Sequence, residues 1–348
     1  MVTIAFKDQV RDHPVFGFVD WILRGIGQVV FQNNPITGAV ILVGIYYNSW
    51  IYGTVCLFGT IISTLMARWL KADKELIKDG LFGFNGALVA IGLVAFSSKN
   101  FVTGDVPTLL LWLYLAFAAA LTSVVVSAFA TLLGPHKVTG LTMPFILVGW
   151  MFLAAALHFS MLDIGTFKPT SPSDFTGPRP DYSPATMAHG MADGIAEIFF
   201  QDNSISGLMI LAGIAINSRI SAAMAFLGST LAAMVAMLYG AHDDAIKDGL
   251  FGYNAALTAM ALGGFFLVLT INSFLYTLFG IIVTTWTWAG IATYFEPSGM
   301  PAFTAPFVVV TWLMLIGQYH FNALVPVPPA EAGTPEENLR RHRMVQKR

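Results

Sequence analysis

The chain has 348 residues, of which 56% are apolar and only 11% are Asp, Glu, Lys or Arg, against about 25% charged in a soluble domain. Its net charge of −2 offers no basic surface for nucleic acid. Its one cysteine, Cys56, can build neither an internal disulfide nor a thiolate metal cage. A large soluble α-protein is the bland alternative, but it has no use for a stretch such as Thr108–Leu133, which carries no charge at all. The composition points to an all-α integral membrane protein.

In chain order, residues 1–14 carry Lys7, Asp8, Arg11 and Asp12. No small-residue cleavage pattern follows, so they read as a cytoplasmic segment rather than a signal peptide. Six apolar windows come next, at about 15–31, 36–52, 54–70, 80–97, 106–133 and 139–159, where a spanning helix needs roughly 20 residues. They form a first half, 15–159. A Pro- and Ser-rich stretch, 160–184, reads as an extramembrane linker. A second half, 185–322, has windows at about 185–200, 205–217, 219–240, 249–266, 268–295 and 301–322. The tail 323–348 is rich in proline and charge and reads as cytoplasmic and disordered at its end.

The two halves are copies. Residues 77–88 read IKDGLFGFNGAL and residues 246–257 read IKDGLFGYNAAL, identical at ten of twelve positions at a spacing of 169. The same spacing aligns Asn34 with Asn203, Gly38 with Gly207, Asn48-Ser49 with Asn217-Ser218, and Gly25-Ile26 with Gly194-Ile195. The period is too long for a solenoid repeat. In a membrane chain, duplicated halves mark a transport pathway at their interface. Lys7 and Arg11 at one end and Arg340, Arg341, Arg343, Lys347 and Arg348 at the other place both termini in the cytoplasm by the positive-inside rule. The linker, with only Lys168 and Arg179, is then outside. Each half crosses an odd number of times, so the halves are inverted, with about five transmembrane helices and one re-entrant half-helix each. The fourth window opens on glycines, which make poor helix, and is the re-entrant choice. The basic run Arg68–Lys78 would then lie outside, against the rule.

Polar residues within apolar windows are functional candidates. Gln28 and Glu197 are repeat mates, each followed three positions later by a phenylalanine, Phe31 or Phe200, on the same helix face. The alternative is helix–helix glue. In the fourth windows Phe84/Tyr253, Asn85/Asn254 and Leu88/Leu257 follow the glycines, and ring and aliphatic chain four apart give one flat apolar wall or ordinary core packing. Asp79 and Asp248 precede that helix, where a carboxylate suits the dipole. A second set repeats at spacing 162: Thr142-Met143-Pro144-Phe145 with Thr304-Ala305-Pro306-Phe307, Trp150 with Trp312, and His158 with His320. Proline inside a helix frees the carbonyl four residues back, here Gly140 and Ala302, for a polar permeant or a neighbour. His158 lies 16 residues beyond Thr142, roughly 24 Å along a helix, so the two histidines read as interfacial rather than as a relay.

The doubled D-G-L-F-G-[FY]-N-x-A-L and the T-x-P-F segment in each half resemble the signatures of the urea transporter family, over nearly all of residues 15–322. The resemblance implies a homotrimer in the inner or plasma membrane, one pore per protomer between inverted halves, and channel-like facilitated passage of urea. It implies no enzyme activity, cofactor or metal, and no partner beyond urea, lipid and further copies of the chain. By position, Gln28, Phe31, Phe84 and Leu88 would line one side of the pore and Glu197, Phe200, Tyr253 and Leu257 the other, with Asn85 and Asn254 alongside and Thr142 and Thr304 at the middle. Tyr253 stands where the family pattern has phenylalanine, which leaves the size of that constriction in question. Other readings are an ion-coupled secondary transporter using Glu197, a channel for ammonia or short amides, and a membrane enzyme or scaffold. Against the last, there is no H-E-x-x-H, Cys/His cluster or Walker Lys-Ser/Thr.

Overall fold

The computed structural model describes residues 11–13, 15–97, 105–162 and 182–346. Lys7, Asp8, Lys168, Arg179, Lys347 and Arg348, used above for orientation, lie outside the described residues. Among the described residues the chain is helical and has no β-strand beyond single bridges, as its composition requires.

The duplication is carried into the helices, four of the first five of which start at spacing 169 from their mates. Helix α1 is Phe16–Gln28, α2 Pro35–Asn48, α3 Trp50–Trp69, α4 Lys74–Lys78 and α5 Gly83–Ala95. Their mates are α8 (Pro184–Ala196), α9 (Ser204–Asn217), α10 (Arg219–Leu238), α11 (Asp243–Lys247) and α12 (Gly252–Met260). The spacing of 169 holds because the start signals sit on repeat positions. Asn34 accepts from the backbone N–H of Ile36 and Thr37, and Asn203 from that of Ser206. Ser49 and Ser218, both extended, break α2 from α3 and α9 from α10 and accept from the N–H of Tyr52 and Ser221. Helices α6 (Leu109–Leu133) and α7 (Met143–Ala156) recur as α13 (Ile271–Phe295) and α14 (Ala305–Gly317) at spacing 162.

Two compact units result, Met1–Ala128 with Leu147–Gly165, and Phe129–Ile146 with Thr166–Arg348. In the first, α3 lies along α5 and α1 packs on both α2 and α5. The close approach uses small residues: a Cβ on Gly59 would collide with the carbonyl of Gly86 and with Ala90. Gly80, at φ +75°, lies directly against the backbone of Arg24 and Gly25, a conformation and a gap that exclude any side chain. The second unit repeats each device, with α10 on α12 through Gly228, and Gly249, at φ +71°, against Asp193 and Gly194.

Helices α3, α6, α10 and α13 are long and apolar enough to cross a membrane. The run Pro184–Phe199 and helix α9 pass the same test as a pair bent by 71°. Helices α5 and α12, from the glycine-opened windows, have only 13 and 9 residues. At 1.5 Å per residue α5 covers about 20 Å, short of a hydrocarbon core of about 30 Å. Helix α12 runs into a π turn, Ala261–Phe265, in which Gly264 adopts φ +135°.

Two expectations are corrected here. The prolines do not kink helix interiors: Pro144 and Pro306 are second residues of α7 and α14, in the first turn, where a missing N–H costs nothing. The carbonyls of Gly140 and Ala302 are not left free, since they accept from the N–H of Met143 (3.0 Å) and Ala305 (3.2 Å). The tail is not disordered through Gln346. It forms helix α15, Pro335–Gln346, anchored by Asn338, whose amide donates to the carbonyls of Gly264 (2.8 Å) and Phe265 (3.0 Å) at the π turn.

Candidate functional site

Helix α1 ends on Gln28, and α8 is capped by Glu197, which opens a single 3₁₀ turn. Each is followed three residues on by a phenylalanine in the left-handed region, Phe31 at φ +62° and Phe200 at φ +59°. The backbone closes alike in both: Phe31 N–H donates to the Gln28 carbonyl and Phe200 N–H to that of Glu197, each at 3.1 Å. Leu141 (φ +50°) and Phe303 (φ +49°), each just before a site threonine, form a second left-handed pair at spacing 162. Non-glycine residues in this region cost of order 1–3 kcal/mol each and persist where the surroundings hold them. All four carry large apolar side chains, and each has a repeat mate.

The polar mates differ in one bond. Gln28 donates through Nε2 to the carbonyl of Asp79 at 2.8 Å. That bond orients the amide and leaves Oε1 as an acceptor. Glu197 stands where its mate carbonyl would be that of Asp248, and it makes no such bond. Both side chains are half-buried. Asp79 does not serve the start of α5. It caps the end of α4, and its carboxylate pairs with Arg11 at 2.6 Å.

One turn earlier lies a feature that single-residue reading missed. In the first unit Arg24, buried on α1, bonds Asp20 at 2.6 Å and the backbone and side-chain oxygens of Asn33 at 2.8 Å. At spacing 169 their mates are Asp193, His189 and Asp202. His189 Nδ1 lies 3.3 Å from Asp193 Oδ2 and 3.1 Å from Ser204 Oγ. The pair is thus kept with its polarity reversed, and Asp193 Oδ1 is buried without a partner. The signal was readable in the sequence as an acid and a base exchanged at mated positions four apart.

On α5, Phe84 is half-buried while Asn85 and Leu88 are fully buried. In the second unit the mates are bound into a network. Tyr253 Oη donates to the Phe303 carbonyl at 2.7 Å, Asn254 Nδ2 donates to the same oxygen at 3.2 Å, and Asn254 Oδ1 accepts from Phe307 N–H at 3.0 Å. The Tyr253 hydroxyl is therefore occupied in holding the left-handed turn of Phe303 and is not a loose group at a constriction. Leu257 is fully buried. Thr142 and Thr304, each 3% exposed, share a hydrogen bond of 2.6 Å between their hydroxyls. Trp312 Nε1 donates to the carbonyl of Thr139 at 2.9 Å.

Three rings of the same unit cluster, two of them within three residues of these threonines in the chain. Phe145 and Phe303 lie 4.7 Å apart, and Phe200 meets each at 6.0 Å and nearly edge-on, at 81° and 82°. Phe145 and Phe303 were not among the residues singled out from sequence. Phe145 was visible inside T-x-P-F, whereas Phe303 has Leu141 for a mate and gave no repeat signal. His158 and His320 are exposed, beyond the C-terminal ends of α7 and α14. Among the described residues no group of His, Cys, Asp and Glu is arranged to hold a metal.

Each unit thus sets a polar side chain, Gln28 or Glu197, three residues before a left-handed phenylalanine, and the second unit adds the buried hydroxyl pair of Thr142 and Thr304. The family profile described as "Urea transporter" matches residues 19–319. The chain belongs to the urea transporter family. Relatives include proteins named "Urea transporter 1" from sheep (Ovis aries), 31% identical over 96% of this chain and 86% of the relative, and from mouse (Mus musculus), 32% identical over the same shares. Family membership accounts for the all-helical, apolar architecture of an integral membrane protein.

Proposed function

We propose that the chain carries urea passively across a cell membrane, as a channel whose pore runs between two inverted halves, in a homotrimer with both termini in the cytoplasm. Urea is flat and neutral, with four N–H donors and one acceptor oxygen. A selective path needs rings to limit thickness and acceptors to replace water at the N–H groups, since leaving a polar group unpaired costs several kcal/mol. The acceptors assigned are Gln28, Glu197, Thr142 and Thr304. The walls are Phe31, Phe84 and Leu88 from one half and Phe200, Tyr253 and Leu257 from the other, with Asn85 and Asn254 bracing them. The observation that carries this reading is the repeated strain: Phe31, Phe200, Leu141 and Phe303 are held left-handed at the turns that bear the four acceptors.

The ion-coupled reading draws support from the His189–Asp193–Glu197 run, one titratable group per helical turn. We favour the passive reading because urea has no charge to couple, and the mate run Asp20–Arg24–Gln28 closes as an ion pair and an amide. Stopped-flow light scattering of proteoliposomes challenged with urea tests the substrate. Rapid re-swelling relative to protein-free vesicles is expected, and an unchanged rate would refute it.

A further inference from the structure

We propose that the C-terminal helix α15 and the start of α10 form a binding site for the phosphodiester headgroup of an anionic glycerophospholipid. The site lies wholly within the second unit. Two anchors fix it. Asn338 holds the inward face of α15 on the π turn and accepts from Arg341 at 2.8 Å. Glu336 caps α10, accepting from Ser218 Oγ at 2.7 Å and from Ile220 N–H at 3.0 Å. Between these contacts is a cavity of about 420 Å³ lined by Ile220, Glu336, Leu339, Arg340, Arg343 and Met344.

Its lining is amphipathic in the manner of a lipid. Arg340 and Arg343 are one helical turn apart and exposed, and among the described residues neither takes an acidic partner. Glu336, the acid nearest on the lining, has both oxygens engaged by α10. Ile220, Leu339 and Met344 supply an apolar wall, and Met344 and Val345 are left 54% and 73% exposed. The position is the end of a spanning helix: α10 begins at Arg219, itself exposed, and its apolar stretch follows at once. A phosphate between the two guanidiniums would therefore have its acyl chains directed along hydrocarbon-facing surface. A free phosphate would use the arginines and leave the apolar wall in water.

The test is binding to the full-length protein in detergent micelles, by native mass spectrometry or melting shift, with dioleoylphosphatidylglycerol, dioleoylphosphatidylcholine and inorganic phosphate as probes. Phosphatidylglycerol should bind and raise the melting temperature. Phosphatidylcholine should bind far more weakly, and inorganic phosphate at the same concentration should not compete. Each surface arginine is expected to contribute about fivefold, so Arg340→Gln with Arg343→Gln should weaken phosphatidylglycerol binding on the order of 25-fold. Unchanged affinity in that double variant, or equal affinity for phosphatidylcholine, overturns the proposal. Competition by inorganic phosphate assigns the site to free anions instead. If the double variant does not fold, the salt series on the parent protein decides: affinity that is the same in dilute and molar salt is not arginine–phosphate binding. Failure of urea flux leaves this result standing, because the readout is lipid binding.

Discussion

Glu197 and its mate Gln28 allow the sharpest test of the acceptor assignment. Gln28 fixes its amide on the Asp79 carbonyl at 2.8 Å, so only Oε1 is available to a permeant. Glu197→Gln would give the second half the same donor for the Asp248 carbonyl and keep an acceptor oxygen. One hydrogen bond is worth about 1 kcal/mol, so with the acceptor kept flux should change by about fivefold at most. Glu197→Leu keeps bulk and removes every acceptor. One urea N–H then goes unpaired at about 1–3 kcal/mol, a fall of about 5- to 150-fold. Gln28→Leu should lose a similar amount and Gln28→Glu should be tolerated. Stopped-flow urea permeability of proteoliposomes, normalised to folded protein, reads all four. If both leucine variants assemble and carry urea at the parent rate, the acceptor assignment is wrong.

Three further outcomes are expected. Thr142→Val or Thr304→Val alone strands a buried hydroxyl and should destabilise by about 1–3 kcal/mol, while the double variant should cost less than the sum. A double-mutant cycle on melting or denaturation measures this, and simple additivity would deny that the 2.6 Å bond matters. Tyr253→Phe should lose about 1 kcal/mol of stability with its bond to Phe303 and leave the preference for urea over larger amides unchanged. Altered selectivity without lost stability would return that hydroxyl to the pathway. Phe31→Ala and Phe200→Ala should widen the path and admit bulkier ureas, and unaltered flux and discrimination in both would make these rings core.

Much of the architecture was written in the sequence because the repeat fixed both pattern and punctuation. Asn34, Ser49, Asn203 and Ser218 are cap residues at repeat positions, so helix starts could be matched between halves without coordinates. The prolines were misread for a physical reason. A left-handed residue before a helix is usually glycine or asparagine, and here it is Leu141 or Phe303, so T-x-P-F gave no start signal and looked like an interrupted helix. The tail was misread because composition averages over residues. Its order comes from one asparagine reaching two carbonyls and one glutamate capping α10, which no compositional window registers. The aromatic group of Phe145, Phe200 and Phe303 joins residues far apart in sequence whose mates are not all rings, so duplication could not reveal it.

The central claim is that passage is passive, and accumulation tests it most directly. Proteoliposomes containing the full chain are equilibrated with radiolabelled urea at equal internal and external concentration, and a proton or sodium gradient is then imposed. The account expects the internal concentration to stay equal to the external one under either gradient, while unidirectional exchange is fast. Net accumulation that depends on the gradient and collapses with an ionophore would contradict it and move the His189–Asp193–Glu197 run to the centre of an ion-coupled mechanism.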